Sequence, residues 1–337
     1  TIDRKKEANI MKNTDNAPVR CAIILAGGEG RRLRPFIQRL RGDALPKQYV
    51  NFIGTRSMLE HTYHRAEKLI TPENLFTVVT KNHLKYDDVY PQLSNRPKGT
   101  VIIQPENKDT GPGLLLPLMH LIKRYPESVV VIFPSDHFIV EEDLFMGHVD
   151  LACRVVERDA SLLVLLGVEP YGPEPEYGYI LPDGKMNRPT PSGICRVSRF
   201  IEKPGPHVAR ELVQRGGLWN TLVMAFKAKT ILDLVRRAVP VLYQSFQLIG
   251  RTLGTAREMD VVDEAYRKME PLNFSKELLE ILPIQGLLRL SVLPVRGVFW
   301  SDWGSERRIL SDVQKFRYEE GLYGLGRSDI NRFSLQA

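Results

Sequence analysis

The sequence predicts an α/β protein, a wound domain with a mostly parallel sheet, on three observations. Short apolar, often β-branched runs alternate with amphipathic helical stretches through the first half of the chain. A glycine-rich turn follows the first of these runs directly. The composition, 43% hydrophobic and 26% charged over 337 residues, is that of a globular protein with chain enough for one large or two modest domains.

Residues 21–24 form a short apolar run that reads as a buried first strand. Ser57-Met58-Leu59-Glu60 has the spacing of a capping box and opens a helix through residue 70. Strands follow at 75–79 and 100–103. A helix is expected over 110–125, although Gly111-Pro112-Gly113 starts it loosely and Pro117 is awkward in its interior. Residues 129–133 are a β-branched buried strand, 143–158 an amphipathic helix, and 162–166 a strand again. From about Tyr171 the texture changes. Short strands at 177–181, 194–201 and 219–226 surround a helix near 208–215. Helices follow at 230–239 and through the 240s and 260s, then a strand pair at 288–292 and 298–300 and a helix over 305–316. Residues 1–18 are expected to be a disordered leader and 317–337 a loose tail, around one domain over 19–316.

No apolar run approaches the length of a membrane span. Cys21, Cys153 and Cys195 lie far apart without metal-like spacing, which suggests reduced, buried thiols in a cytoplasmic protein. The formal charge of +7 is concentrated early: the first fifty residues hold eleven Lys/Arg against five Asp/Glu. A nucleic-acid surface competes with a small anion as the partner of that charge. Basic stripes with interleaved aromatics do not recur downstream, so the small anion is favoured.

The stretch Leu25-Ala26-Gly27-Gly28-Glu29-Gly30-Arg31-Arg32-Leu33-Arg34-Pro35 is the strongest local signal. Three glycines after a strand allow a tight turn, and their N–H groups can point at an anion. Arg32 and Lys47 add cations suited to a polyphosphate. The dinucleotide fingerprint would need a third glycine near Arg32 or Leu33, and the Walker loop would need Gly-Lys-Ser/Thr. Pro134-Ser135-Asp136-His137 puts an acid just past a buried strand, where ligands of open α/β sheets bind. An aspartate there suits Mg²⁺ or a helix cap, and His137 reads as a packing residue. Asp302, in Trp300-Ser301-Asp302-Trp303-Gly304-Ser305, is a second acid at a strand-to-helix junction. Glu202-Lys203-Pro204 ends a strand with an acid and a base, either a ligand pair or a solvated edge. Asn220 is a polar amide in an apolar strand, and Gly178 interrupts a strand pattern as if a ligand approached the backbone. No nucleophilic triad is visible, and phosphoryl transfer needs none.

Taken in order, these motifs resemble the sugar-nucleotidyltransferase family, most closely its mannose-1-phosphate guanylyltransferases, over residues 21–313. The resemblance implies a Rossmann-like three-layer α/β/α nucleotide-diphospho-sugar transferase fold, with a mostly parallel mixed sheet and a C-terminal helical extension. It also implies in-line displacement at the α-phosphorus of GTP by a sugar 1-phosphate, most closely mannose 1-phosphate, with Mg²⁺. Arg32, Lys47 and Asp136 would be catalytic, with Asp136 and Asp302 holding the metal. Leu25, Ala26, Gly27, Gly28, Gly30, Gln104, Asp109, Thr110 and Ser135 would face the nucleotide. Gly178, Glu202, Lys203 and Asn220 would face the sugar phosphate. The resemblance leaves the oligomeric state open, a homodimer included.

Departures from the family pattern bear on this transfer. Lys108-Asp109-Thr110-Gly111-Pro112-Gly113 stands where the family has Arg-Asn-Thr-Ala-Pro-Ala, exchanging an amide for a carboxylate near the base. Trp219-Asn220-Thr221-Leu222 replaces Trp-Asn-Ser-Gly, the interval from Pro35 to Pro46 reads as an enlarged loop, and Asn273-Phe274-Ser275 replaces a Ser-Ile-Asp segment. No room is expected for the isomerase domain that some bacterial relatives carry after the transferase. Two alternatives stand beside GDP-mannose formation: the same chemistry with another triphosphate or with glucose or heptose 1-phosphate, and a silent sugar-nucleotide-binding regulator. A glycosyltransferase would need an Asp-x-Asp motif that neither Asp136 nor Asp302 completes.

Overall fold

The computed structural model describes residues 18–184 and 193–316. The expected leader, apart from Pro18, and the expected tail lie outside them. Nine strands form one sheet: β1 (Arg20–Leu25), β2 (Leu75–Thr80), β3 (Val101–Gln104), β4 (Val129–Pro134), β6 (Leu162–Val168), β7 (Tyr179–Pro182), β8 (Cys195–Ile201), β9 (Leu218–Lys227) and β10 (Arg289–Val295), with β5 (Phe138–Ile139) and β11 (Trp300–Ser301) pairing apart. The order across the sheet is β3-β2-β1-β4-β9-β6-β10-β8-β7. The β1–β2, β1–β4, β2–β3 and β6–β10 pairs are parallel, and β8 and β9 run against the rest. The expected fold class is borne out.

Strand alternation divides the core into two layers. Ala22, Ile24, Val131, Phe133, Val164 and Leu166 face one side, against Met58, Leu59, Phe145, Val149 and the helix Glu306–Lys315. Cys21, Ile23, Val130, Ile132, Leu163 and Leu165 face the other, against the helices Thr110–Arg124, Ala228–Ala238, Pro240–Thr252 and Glu258–Lys268. The capping box forms as read: Ser57 Oγ accepts from Glu60 N–H at 3.1 Å, and Glu60 accepts from Ser57 N–H at 2.7 Å. Burial of Leu114, Leu115, Leu116, Leu118 and Leu121 carries the helix Thr110–Arg124 through Pro117.

Three local expectations are corrected. The interval after Pro35 is a helix, Arg34–Arg41, with Pro35 in its first turn and Gly42 ending it at φ 82°. The last two strands do not pair with each other. β10 lies between β6 and β8, whereas β11 pairs with β5, and a turn at Gly297, at φ 71°, intervenes between the two strands. Cys195 is half-buried rather than buried, although all three cysteines are free.

β9 positions the ligand-facing end. Its second half pairs with β4, and its first residues pair with β7 through Tyr179 and Trp219. The change of neighbour follows a register shift against β6 between Leu165 and Gly167. It seats Gly178 beside Asn220, whose N–H donates to the Gly178 carbonyl at 2.8 Å.

Candidate active site

The glycine turn leaves β1 at the C-terminal edge of the parallel strands. Its carbonyls are taken from inside: Gln48 Nε2 donates to Ala26 and Gly28, at 2.7 and 2.9 Å, and Thr80 Oγ1 donates to Gly27 at 2.8 Å. Among the described residues, no hydrogen bond is made by the N–H groups of Gly27, Gly28, Glu29 or Gly30. Four successive free donors next to Arg32 and Lys47 make an anion cradle. Glycine is required at two points. A Cβ on Gly27 would lie 2.5 Å from Gln104 Nε2, and Gly30 adopts φ 57°.

Two clefts, each of about 410 Å³, flank this turn and share Asn107. The first is lined by Leu25, Gly27, Gly28, Gln104, Asp109 and Thr110. Gln104 Nε2 donates to Thr80 Oγ1 at 2.9 Å, while its buried Oε1 has no partner among the described residues and can accept from a ligand. Asp109 sits at φ 69°, its carboxylate accepting from Thr110 N–H at 2.6 Å and from Asn273 Nδ2 at 3.2 Å. The Gly111 and Phe274 N–H groups, donating to the Leu272 carbonyl and Thr110 Oγ1 at 2.8 Å each, pin the same loop. Ser135 stands apart: its hydroxyl donates to the Leu25 carbonyl at 2.7 Å and ties β4 to β1.

The second cleft is lined by Glu29, Gly30, Arg32, Lys47, Asp136 and Gly304. Lys47 Nζ lies 2.8 Å from Asp136 Oδ2 and donates to the Asp302 carbonyl at 2.9 Å. One ammonium therefore pairs with the Asp136 carboxylate and bonds the backbone of Asp302, the two residues expected to share a metal. Asp302 Oδ1 accepts from Gly304 N–H at 2.9 Å, from the Tyr177 hydroxyl at 3.2 Å and from Arg308. Burial alone would raise the Asp302 carboxyl, but the charges of Lys47 and Arg308 and the Gly304 N–H hold it below the usual carboxylate value. Burial holds His137 down, at about 4, so it is a neutral packing residue with its ring 5.1 Å from that of Trp300. Trp303 anchors the segment: it stacks on Phe138 at 4.4 Å and donates to Asp312 at 3.0 Å.

Asp136 Oδ1 and Asp302 Oδ2 make no hydrogen bond among the described residues. Two hard oxygens beside a phosphate cradle suit Mg²⁺, which binds one or two carboxylates together with phosphates and water. Among the described residues no group of three or more His, Cys, Asp or Glu side chains could hold a metal ion by itself.

Gly178, Glu202 and Asn220 form a separate cluster. A Cβ on Gly178 would lie 2.7 Å from Glu202 Oε2 and 3.4 Å from Asn220 Cβ. Burial raises the Glu202 carboxyl; Lys203 opposes the shift, and Glu280 and Asp109 add to it. Lys203 Nζ lies 3.9 Å from Glu202 Oε1 on a half-exposed side chain. The four described non-glycine residues at positive φ are Asp109, Lys203, Leu222 and Trp303. Each is within two residues of an expected site position, which is where backbone strain of ~1–3 kcal/mol tends to be held.

Sequence reasoning missed Gln48, Thr80, Asn273 and Arg308 as supports of the site. Gln48 was legible, since it adjoins Lys47. Arg308 was not, because its partners Glu174, Glu176 and Asp302 meet it only in the folded chain. A third cavity, about 630 Å³, is lined by Phe138 and Trp303 and contains none of the expected site residues.

Among solved structures, the fold is similar to a mannose-1-phosphate geranyltransferase from Thermus thermophilus. The TM-score is 0.72 and the identity 25%, over 87% of this chain and 79% of that one. Among curated sequences, it is 29% identical to the alginate biosynthesis protein AlgA of Pseudomonas syringae pv. tomato, over 71% of this chain and 48% of that protein. It is 27% identical to mannose-1-phosphate guanylyltransferase 2 of Escherichia coli O157:H7, over 86% of this chain and 59% of that enzyme. The chain spans about half the length of the curated relatives it matches. The nucleotidyl transferase profile matches residues 21–317, nearly all of the described domain, and the chain belongs to the nucleotidyl transferase family.

Proposed function

We propose that this chain transfers a nucleoside monophosphate from a triphosphate to a sugar 1-phosphate, with GTP and mannose 1-phosphate as substrates. The observation that carries the reading is the row of four unpartnered N–H groups at Gly27–Gly30, set between a cleft walled by Gln104 and Asp109 and one holding Arg32 and Lys47. The names of the relatives support the choice of mannose 1-phosphate and GTP. The unpartnered Gln104 Oε1 supports a base that presents N–H donors, as guanine does.

An oxygen of the sugar phosphate attacks the α-phosphorus in line; a P–O bond forms, the bond to the β-phosphate oxygen breaks, and pyrophosphate leaves with that electron pair. The glycine turn holds the triphosphate. Arg32 neutralises the departing pyrophosphate, and Lys47 neutralises charge on the α-phosphate side. Glu202 and Asn220 accept and donate to sugar hydroxyls, Gly178 lets the sugar approach the backbone, and Lys203 holds the sugar phosphate. Mg²⁺, when bound by Asp136 and Asp302, supplies further neutralisation of phosphate charge.

The test is a panel of nucleoside triphosphates and sugar 1-phosphates followed by pyrophosphate release. Preference for GTP with mannose 1-phosphate is expected, and Asp136→Asn is expected to lower turnover at least ~10²-fold. A strong preference for a base other than guanine removes GTP from the reading. Folded protein that releases no pyrophosphate with any pair removes the transferase.

A further inference from the structure

Arg32, expected to receive the triphosphate, already holds an anion. Its Nη1 lies 2.7 Å from Glu176 Oε1, on side chains 52% and 42% exposed. The other oxygen of Glu176 lies 3.1 Å from Arg308 Nη2. Arg308 is the more buried and more heavily tied member: its side chain is only 12% exposed, it also pairs with Glu174 at 3.2 Å and with Asp302, and it lies 4.6 Å from the centre of the Tyr177 ring. The backbone beneath Glu176 is held as well, by Glu176 N–H donating to Glu174 Oε1 at 3.1 Å and Glu174 N–H donating to the Tyr179 hydroxyl at 2.8 Å. Arg32 can therefore leave without stranding Glu176, which keeps Arg308 as its counter-charge. Among the described residues Arg32 makes no other ion pair, and it lines the second cleft together with Gly304, where a Cβ would come within 2.9 Å of Arg32 Nη2.

We propose that Glu176 is a resident carboxylate that occupies Arg32 until the polyphosphate of the nucleotide displaces it, and that recaptures Arg32 as pyrophosphate leaves. It sets nucleotide affinity by competition rather than by touching the nucleotide. This inference rests on the triphosphate reading of the glycine turn.

The experiment is calorimetric titration of the wild-type chain, Glu176→Gln and Glu174→Gln with GTP and with pyrophosphate, in Mg²⁺, at low and high salt, with thermal unfolding as the folding check. An exposed ion pair has modest strength, so Glu176→Gln should bind both ligands about two- to five-fold more tightly at low salt, with the gain shrinking at high salt. Glu174→Gln, which removes the same charge from a residue that touches Arg308 and not Arg32, should change affinity little. Equal or weaker binding by Glu176→Gln overturns the proposal, as does an equal gain in Glu174→Gln, which would reduce the effect to long-range charge. If the folded wild-type chain binds neither GTP nor pyrophosphate, the functional reading falls and this proposal with it; tight wild-type binding with no gain in Glu176→Gln removes this proposal alone.

Discussion

Replacing Lys47 by methionine keeps the length and apolar stem of the side chain and removes only its charge and donors. In the folded chain that ammonium lies 2.8 Å from Asp136 Oδ2, with side-chain exposures of 11% and 30%, and donates to the carbonyls of Asp302 and Trp303 at 2.9 and 3.4 Å. Removing one partner of a fully buried pair costs ~3–5 kcal/mol, and an exposed pair is worth ~0–1 kcal/mol. This pair lies between those limits, so its loss should cost ~2 kcal/mol. The main carbonyl, left without a donor, adds ~1 kcal/mol. Lys47→Met should therefore lower unfolding free energy by ~2–3 kcal/mol in urea at neutral pH. Asp136→Asn relieves the uncompensated carboxylate, so the double variant should recover ~1–2 kcal/mol of that loss, a coupling that a double-mutant cycle isolates. A loss below ~0.5 kcal/mol, or additive single effects, would refute the view that Lys47 is the counter-charge organising these acids.

Two further perturbations probe other parts of the site. Gly304→Ala places a methyl 2.7 Å from Asp302 Oδ2, 2.9 Å from Arg32 Nη2 and 3.1 Å from Arg308 Nη1. Because side-chain ends must shift, it should cost only ~1 kcal/mol of stability but lower turnover about tenfold or more; unchanged pyrophosphate release would show that those three groups need not converge. Burial holds the imidazoles of His83 and His120 below their ordinary value of 6.5. The unfolded chain then binds more protons between the folded values and 6.5, so this contribution is complete above about pH 6.5 and is lost as pH falls through it. Unfolding free energy should decrease from about pH 7.5 to about pH 5.5, and His120→Gln should flatten that slope; an unaltered slope in the variant would show that His120 does not contribute.

The elements of this fold were legible in the sequence wherever a single local cause dominates. Apolar β-branched runs such as Val129–Pro134 cannot be left in water, and Ser57 and Glu60 close a capping box within one turn of chain. The glycine turn was legible for the same reason, since its conformational freedom belongs to its own residues. The helix Arg34–Arg41 was missed because its apolar face is short, Phe36 and Ile37 with a half-buried Leu40, and its end depends on Gly42. Tertiary structure alone decided what requires distant partners. It split β10 from β11, brought β7 onto β9 so that Gly178 meets Glu202 and Asn220, and joined Asp136 to Asp302 through Lys47. It also put Glu176 between Arg32 and Arg308, residues separated by most of the chain. Local propensity and hydrophobic period act over a few residues and so are written in the sequence. The charge of a cleft is summed over side chains that only folding brings within a few ångströms, and it becomes readable when they are there.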